Sequence, residues 1–200
     1  MVAVTVKLSP PFELTDEAFY QLCQNNPDGK FERTSNGELV VMSPVGGEGG
    51  KREADLIIDL GLWNRQNSLG VVFSSSSGFK LPNGADRSPD AAWVKQARWD
   101  ALTSEQKRRF PPIAPDFVIE LRSESDELEV LRAKMREYID NGVLLGWLIN
   151  PQDRQVEIYR PEQPVEVLDA PVSLSGEDLL PGFVLDLSRI FEQKFDELVA

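Results

Sequence analysis

The chain has 200 residues, enough for one domain with a sizeable core, and a formal charge of −12. It has a single cysteine, Cys23, and no histidine. Those counts exclude internal disulfides, Cys-cluster zinc sites, Ser-His-Asp and Cys-His triads and histidine-ligated zinc enzymes. Any chemistry falls to carboxylates, Lys, Arg, Tyr, Ser or an oxygen-bound metal.

In chain order, "LTDEAFYQLCQNN" carries a cap signal at Thr15 and apolar positions at Phe19, Leu22 and Cys23, which predict a short helix ended by "NPDGK". "KFERTSNGELVVMSP" predicts a hairpin, with Asn36-Gly37 turning between Phe31–Thr34 and Glu38–Met42. After "GGEGG", Leu56, Ile57, Leu60 and Trp63 recur at helical spacing from Lys51 to about Asn67. "GVVFSSSSGFKLP" predicts two strands about a serine-rich turn, and "RSPDAAWVK" a strand introduced by proline. A polar connection over 97–109 holds a short helix from Thr103. "PPIAPDFVIEL" is apolar enough for a central strand. Asp126 and Glu129 then form a helix-start capping pair, and Leu128, Leu131, Met135, Tyr138 and Ile139 share one helical face. "VLLGWLIN" and "QVEIYRP" predict paired strands about "PQDR", and the tail holds short strands and a final helical turn. This order predicts an α/β (α+β) fold with a mixed central sheet flanked by helices, in one domain over 1–200. Trp63, Trp93 and Trp147 are expected in the core.

The charge is uneven. From Asp153 to Ala200 there are 11 acids and 4 bases, against 22 acids and 17 bases before them. Phosphate binding wants a basic footprint, so the overall charge argues against nucleic acid, and any basic groove belongs to the first three quarters. Low cysteine use points to a reducing cytoplasm. No run is apolar enough to span a membrane, and "MVAVTVKLSPPFEL" lacks the pattern of a signal peptide.

Acids sit at the ends of apolar strands. In "APDFVIELRSESD", alternation puts Asp116, Glu120 and Arg122 on one face and Phe117, Ile119 and Leu121 on the other. Asp116 and Glu120 are separated by roughly 13 Å of strand, too far to share an ion whose bonds are roughly 2.1 Å long. A partner for Glu120 belongs on a neighbouring strand, and Asp90 of Pro89-Asp90 fits. The ordinary alternatives are that Asp90 is a strand-entry residue and that Glu120 forms a structural ion pair with Arg122 or Lys134.

Asp90 after proline, with Glu120 inside an apolar strand, resembles the PD-(D/E)XK nuclease superfamily and its restriction-endonuclease-like fold. The usual Lys two residues after the Glu is Arg122 here; arginine does not release its proton and is a poor general base. "SPDAAWV", "PDFVIELRSESD" and "LRAKMREYIDNGVLLGWLINPQDRQVEIYRP" resemble the Uma family of restriction endonucleases, abundant in cyanobacteria, over about Leu14 to Phe191. The resemblance implies a nuclease-like core over about 38–160, preceded by a helix and hairpin and followed by an acidic β-rich extension over 161–200. It implies that the active-site lysine has moved into the following helix, at Lys134, which lies about 90° from the centre of that helix's apolar stripe. It also implies a helix carboxylate at Glu48, with Glu53 as the second register. The implied chemistry is phosphodiester hydrolysis of DNA with Mg²⁺ (or Mn²⁺). Asp90, Glu120 and the Leu121 carbonyl would hold the ion, Lys134 would position water or neutralise charge, and Arg122 would contact phosphate. A homodimer would reach both strands. Two other classes stay open. One is a catalytically degenerate nuclease fold that binds nucleic acid or protein. The other is an acidic assembly module with no basic groove around Lys51, Arg52, Arg87, Arg122, Lys134 and Arg136.

Overall fold

The computed structural model describes residues 3–8 and 12–191. Its first part runs β1 (Ala3–Val6), α1 (Asp16–Asn25), β2 (Lys30–Arg33), β3 (Leu39–Met42), α2 (Gly47–Asn67) and β4 (Gly70–Ser74). The middle holds β5 (Phe79–Lys80), β6 (Asp86–Arg87), β7 (Ala91–Lys95), α3 (Gln96–Asp100), α4 (Ser104–Arg108) and β8 (Phe117–Leu121). Then come α5 (Leu128–Asp140), β9 (Leu145–Asn150), β10 (Gln155–Tyr159), β11 (Glu166–Asp169), β12 (Ser173–Ser175) and β13 (Val184–Asp186).

A six-stranded sheet in the order β11-β10-β9-β8-β7-β4 forms the centre. It is mixed, as predicted: β8 and β9 run parallel, and the other neighbours are antiparallel. A parallel pair needs a crossover, and α5 supplies it between β8 and β9. Alternation along β8 divides its side chains between two cores. Phe117 and Ile119 join Leu56, Leu60 and Trp63 of α2 on one face, while Val118 joins Met135 and Tyr138 of α5 on the other. All three expected core tryptophans are buried.

The second, five-stranded sheet, β1-β3-β2-β6-β5, contains the predicted hairpin. Gly37 takes a φ of +80° in its turn, a conformation that glycine adopts without steric cost. This sheet reaches α5 through the pairs Arg87–Glu137 and Lys134–Glu32. The acidic tail covers the α2 side of the central sheet. β12 and β13 bury one residue in three each, Leu174 and Leu185, and Phe183 stacks on Trp147 with centroids 5.9 Å apart. Residues 192–200 of the extension, with the end of its final turn, lie outside the described residues.

Three local expectations change. Helix α2 starts at Gly47 rather than Lys51: Gly46 is its N-cap, and the Gly50 amide donates to the Gly46 carbonyl at 3.0 Å, closing the first turn. The start of α5 is not capped by Asp126: Glu127 is the N-cap without a side-chain bond, and the Asp126 carboxylate instead accepts the Ser123 amide at 2.9 Å, closing the preceding turn. The polar connection holds an additional helix, α3, whose Trp99 packs edge-on against Phe73 with centroids 5.1 Å apart, a contact between segments distant in sequence.

Candidate active site

The carboxylates of Asp90 and Glu120 are brought together by strand register. β7 and β8 pair Ala91 with Ile119 and Ala92 with Val118, so one further step sets Asp90 opposite Glu120. Asp90 is turned onto β8: its Oδ2 accepts the Leu121 amide at 2.8 Å, and its Oδ1 lies 3.6 Å from Lys30. Glu120 is 3% exposed. Its Oε1 accepts the Tyr138 hydroxyl at 3.0 Å and lies 2.9 Å from Lys134 Nζ. Lys134 and Tyr138 are four residues apart on α5 and therefore share a face; the ammonium sits 5.8 Å from the Tyr138 ring centroid.

A residue absent from the sequence-based set completes the group. Glu32, from the hairpin strand β2, lies 2.8 Å from Lys134 Nζ through Oε1. The same oxygen accepts the Ser88 amide at 2.9 Å, and Oε2 lies 3.0 Å from Arg87. Arg87 in turn pairs with Glu137 at 2.6 Å. A charge chain thus runs Glu137, Arg87, Glu32, Lys134, Glu120, with the two carboxylates that flank Lys134 buried and the other three groups partly so. The only signal for Glu32 in the sequence is a charge inside a predicted strand, which Arg33 and Glu38 share.

These surroundings separate the two glutamates. Burial pushes both carboxyls up, but Lys134 and Arg87 with the Ser88 amide outweigh it at Glu32 and hold that group at about 2. Glu120 has Lys134, with the Tyr138 hydroxyl, against burial, Asp90 and Glu32, and rises to about 7. At Lys134 burial opposes the charge, yet Glu120 and Glu32 prevail and hold the ammonium above its ordinary value. Lys134 is therefore a fixed cation rather than a proton acceptor.

Asp116 lies at the far end of β8, away from this group. It accepts the Lys95 amide at 2.8 Å and pairs with Arg98 at 3.0 Å while 1% exposed. Its work is to close the β7–β8 end. Asp116→Ala is expected to cost about 1–3 kcal/mol by leaving the Lys95 amide unpaired, while the half-exposed Arg98 returns to water; thermal unfolding would register it, and an unchanged midpoint would contradict this.

Glu48 and Glu53 both line the cleft in front of Glu120. Glu48 is exposed and 3.6 Å from Arg52, whereas Glu53 accepts the Ser75 hydroxyl. Arg122 does not pair with Glu120. It is directed to the β9–β10 turn, 3.2 Å from Asp153 and 3.3 Å from Asn150 Oδ1. The cleft holds about 1570 Å³, and acidic side chains on its walls outnumber basic ones ten to six. Of the six basic residues around which a groove was possible, Arg52, Arg87, Arg122 and Lys134 are engaged by carboxylates. Among the described residues no three His, Cys, Asp or Glu side chains gather as a metal-holding group.

The family described as "Uma2: Putative restriction endonuclease" matches residues 16–188, from the start of α1 to just beyond β13. The chain belongs to the Uma2 family. A crystal structure of a "putative nuclease belonging to DUF820" from Anabaena variabilis ATCC 29413 has the same fold, with a TM-score of 0.69 and 20% identity over 80% of this chain and 89% of that one. No curated protein matches. The Uma2 match takes in every residue of the charge chain but excludes β1. In this Uma2 chain the cation beside the strand glutamate comes from α5, not from Arg122, two residues on and just past the end of β8. Arg122 is one pleat beyond Glu120 and is drawn away by the β9–β10 turn.

Proposed function

We propose that this chain is a divalent-metal-dependent endonuclease that hydrolyses phosphodiester bonds of DNA. The observation that carries the reading is Lys134 Nζ at 2.9 Å from Glu120, with Asp90 fastened to the next residue of the same strand. Membership of a family described as restriction endonucleases supports it. So does the size of the cleft, which exceeds the roughly 300–1,000 Å³ of small-molecule pockets and suits a polymer segment.

The donor set fits a hard cation. Asp90, Glu120 and the Leu121 carbonyl offer only oxygens, and both bonds that Glu120 makes fall on Oε1. Mg²⁺ commonly takes one or two carboxylates and completes its shell with water and substrate phosphate, so a third acidic side chain is not required. Bound there, a divalent ion would supply Lewis-acid activation of water and of the phosphoryl oxygen. Lys134, fixed as a cation, would stabilise charge developing on the phosphate. Glu53 or Glu48, on the opposite wall, would orient water. Arg122 would reach phosphate by leaving Asp153, a carboxylate 60% exposed and therefore a weak partner.

The acid-rich walls have a consequence for binding. Without a divalent ion they repel a polyanion, so DNA affinity is expected to depend on the metal. Gel-shift titration in Ca²⁺ against EDTA at low salt should show binding only with the ion; equal binding in both would contradict it. Plasmid cleavage in Mg²⁺ or Mn²⁺, with EDTA and Glu120→Gln controls from the same preparation, tests the whole reading. If clean protein fails to cut in either metal, the alternative of a catalytically degenerate fold takes its place. The engagement of Arg52 and Arg122 by carboxylates favours that alternative.

A further inference from the structure

We propose that Glu32 is a positioning residue for Lys134: from outside the central sheet it seats the ammonium in front of Glu120, so that Glu120 is left as the exchangeable partner. The catalytic value of this seat rests on the nuclease reading above, but the seat itself does not.

The two glutamates that share Lys134 are bonded differently. Glu32 is 2% exposed and has both oxygens committed, Oε1 to Lys134 and the Ser88 amide and Oε2 to Arg87. Arg87 is itself braced by Glu137. Nothing about Glu32 can turn toward a ligand without breaking three bonds. Glu120 makes its two bonds through one oxygen and lies beside Asp90. An ammonium on a flexible four-carbon stem, held only by Glu120, would be released whenever that carboxylate took another partner. With Glu32 behind it, Lys134 stays where it is.

Glu32 is not required to dock α5. The helix is already tied to the loop and strand beside it by Arg87–Glu137, by the Asn83 side chain to Glu137 at 2.9 Å, and by the Asn83 amide to Asn141 at 2.8 Å. It also buries Met135 and Tyr138 against the central sheet. The Glu32–Lys134 bond adds side-chain placement to a helix that is otherwise secured. It also gives the hairpin, which contributes no strand to the central sheet, a part in the site.

The test compares wild type, Glu32→Gln, Glu32→Asp and Glu120→Gln in two measurements. The first is reductive methylation of lysines in metal-free protein, read by peptide mass spectrometry as the rate at Lys134 relative to exposed Lys95. Glu32→Gln should speed labelling of Lys134 by about tenfold or more, the scale of a lost charged hydrogen bond, and by clearly more than Glu120→Gln does. The second is steady-state cleavage. Glu32→Gln should lower kcat on the order of 100-fold, as misplacement by an ångström does, with KM within about twofold, and Glu32→Asp should recover part of kcat. A residue that only supports the fold would lower active fraction and leave Lys134 covered in the folded protein. If Glu32→Gln does not fold, Glu32→Asp carries both measurements, because its carboxylate is one methylene short of Lys134. Unchanged Lys134 labelling in the folded Glu32 variants, or release by Glu120→Gln instead, overturns the proposal. A wild type that does not cleave defeats the nuclease reading only, and the labelling then decides the seat by itself.

Discussion

Glu120→Gln is expected to reduce metal-dependent cleavage on the order of 10³-fold or more while making the metal-free protein less sensitive to rising pH. The two effects have one cause. Burial pushes the Glu120 carboxyl up to about 7; Lys134 opposes the rise, and Asp90 and Glu32 add to it. A carboxyl whose folded pKa exceeds its unfolded one binds more protons in the folded state. Stability therefore falls as pH rises from about 4.5 through 7, and the loss is complete above that window. Glutamine does not titrate, yet it can still accept from Lys134 and Tyr138. Urea unfolding in EDTA should show wild type losing roughly 3 kcal/mol more than the variant between pH 4.5 and 8. Parallel pH curves for the two proteins would defeat this account of Glu120. A site that is costly to hold empty and ionised is what a cation-binding carboxylate requires, since the ion then supplies the missing charge.

Lys134→Met is expected to be the most destabilising single change at the site, as well as an inactivating one. The ammonium has a side chain 12% exposed and lies within 2.9 Å of two carboxylates. Its pKa is held above the ordinary lysine value, so its own deprotonation takes that stability away only above about 10.5. Removing it leaves Glu32 with Arg87 and leaves Glu120 with Tyr138 alone. Breaking a buried pair in this way costs about 3–5 kcal/mol, or roughly 10 °C in Tm for a chain of this size. The penalty should shrink at pH 5, where Glu120 takes up a proton, and should be absent from Lys95→Met on the exposed surface. A Tm within 2 °C of wild type at pH 8, on the scale of less than about 1 kcal/mol, would mean that Lys134 is a solvated helix residue after all.

The elements whose signals are local are legible in the order of residues. Alternation in "FVIEL" and helical spacing from Leu128 to Ile139 are periodic over their full length, and the Asn36-Gly37 turn needs no distant partner. The same alternation determined that Glu120 faces away from Phe117 and Ile119, and arithmetic along the strand removed Asp116 from its company. Asp90 fitted as a partner because it begins a neighbouring strand, with a plain strand-entry role as the alternative. The rest followed from packing, since each remaining choice depended on what lay across a gap of many residues. Helix α3 rests on Trp99 meeting Phe73. Arg122, on the expected face, was drawn off by Asp153 of another turn. Four of the six basic residues around a possible groove, Arg52, Arg87, Arg122 and Lys134, are engaged by carboxylates, which no count of charges reveals. Glu32 was invisible because a glutamate in a short hairpin strand is ordinarily solvated. It becomes part of the site only when the hairpin sheet meets α5, where burial makes an unpaired charge costly and leaves Lys134 and Arg87 to compensate it.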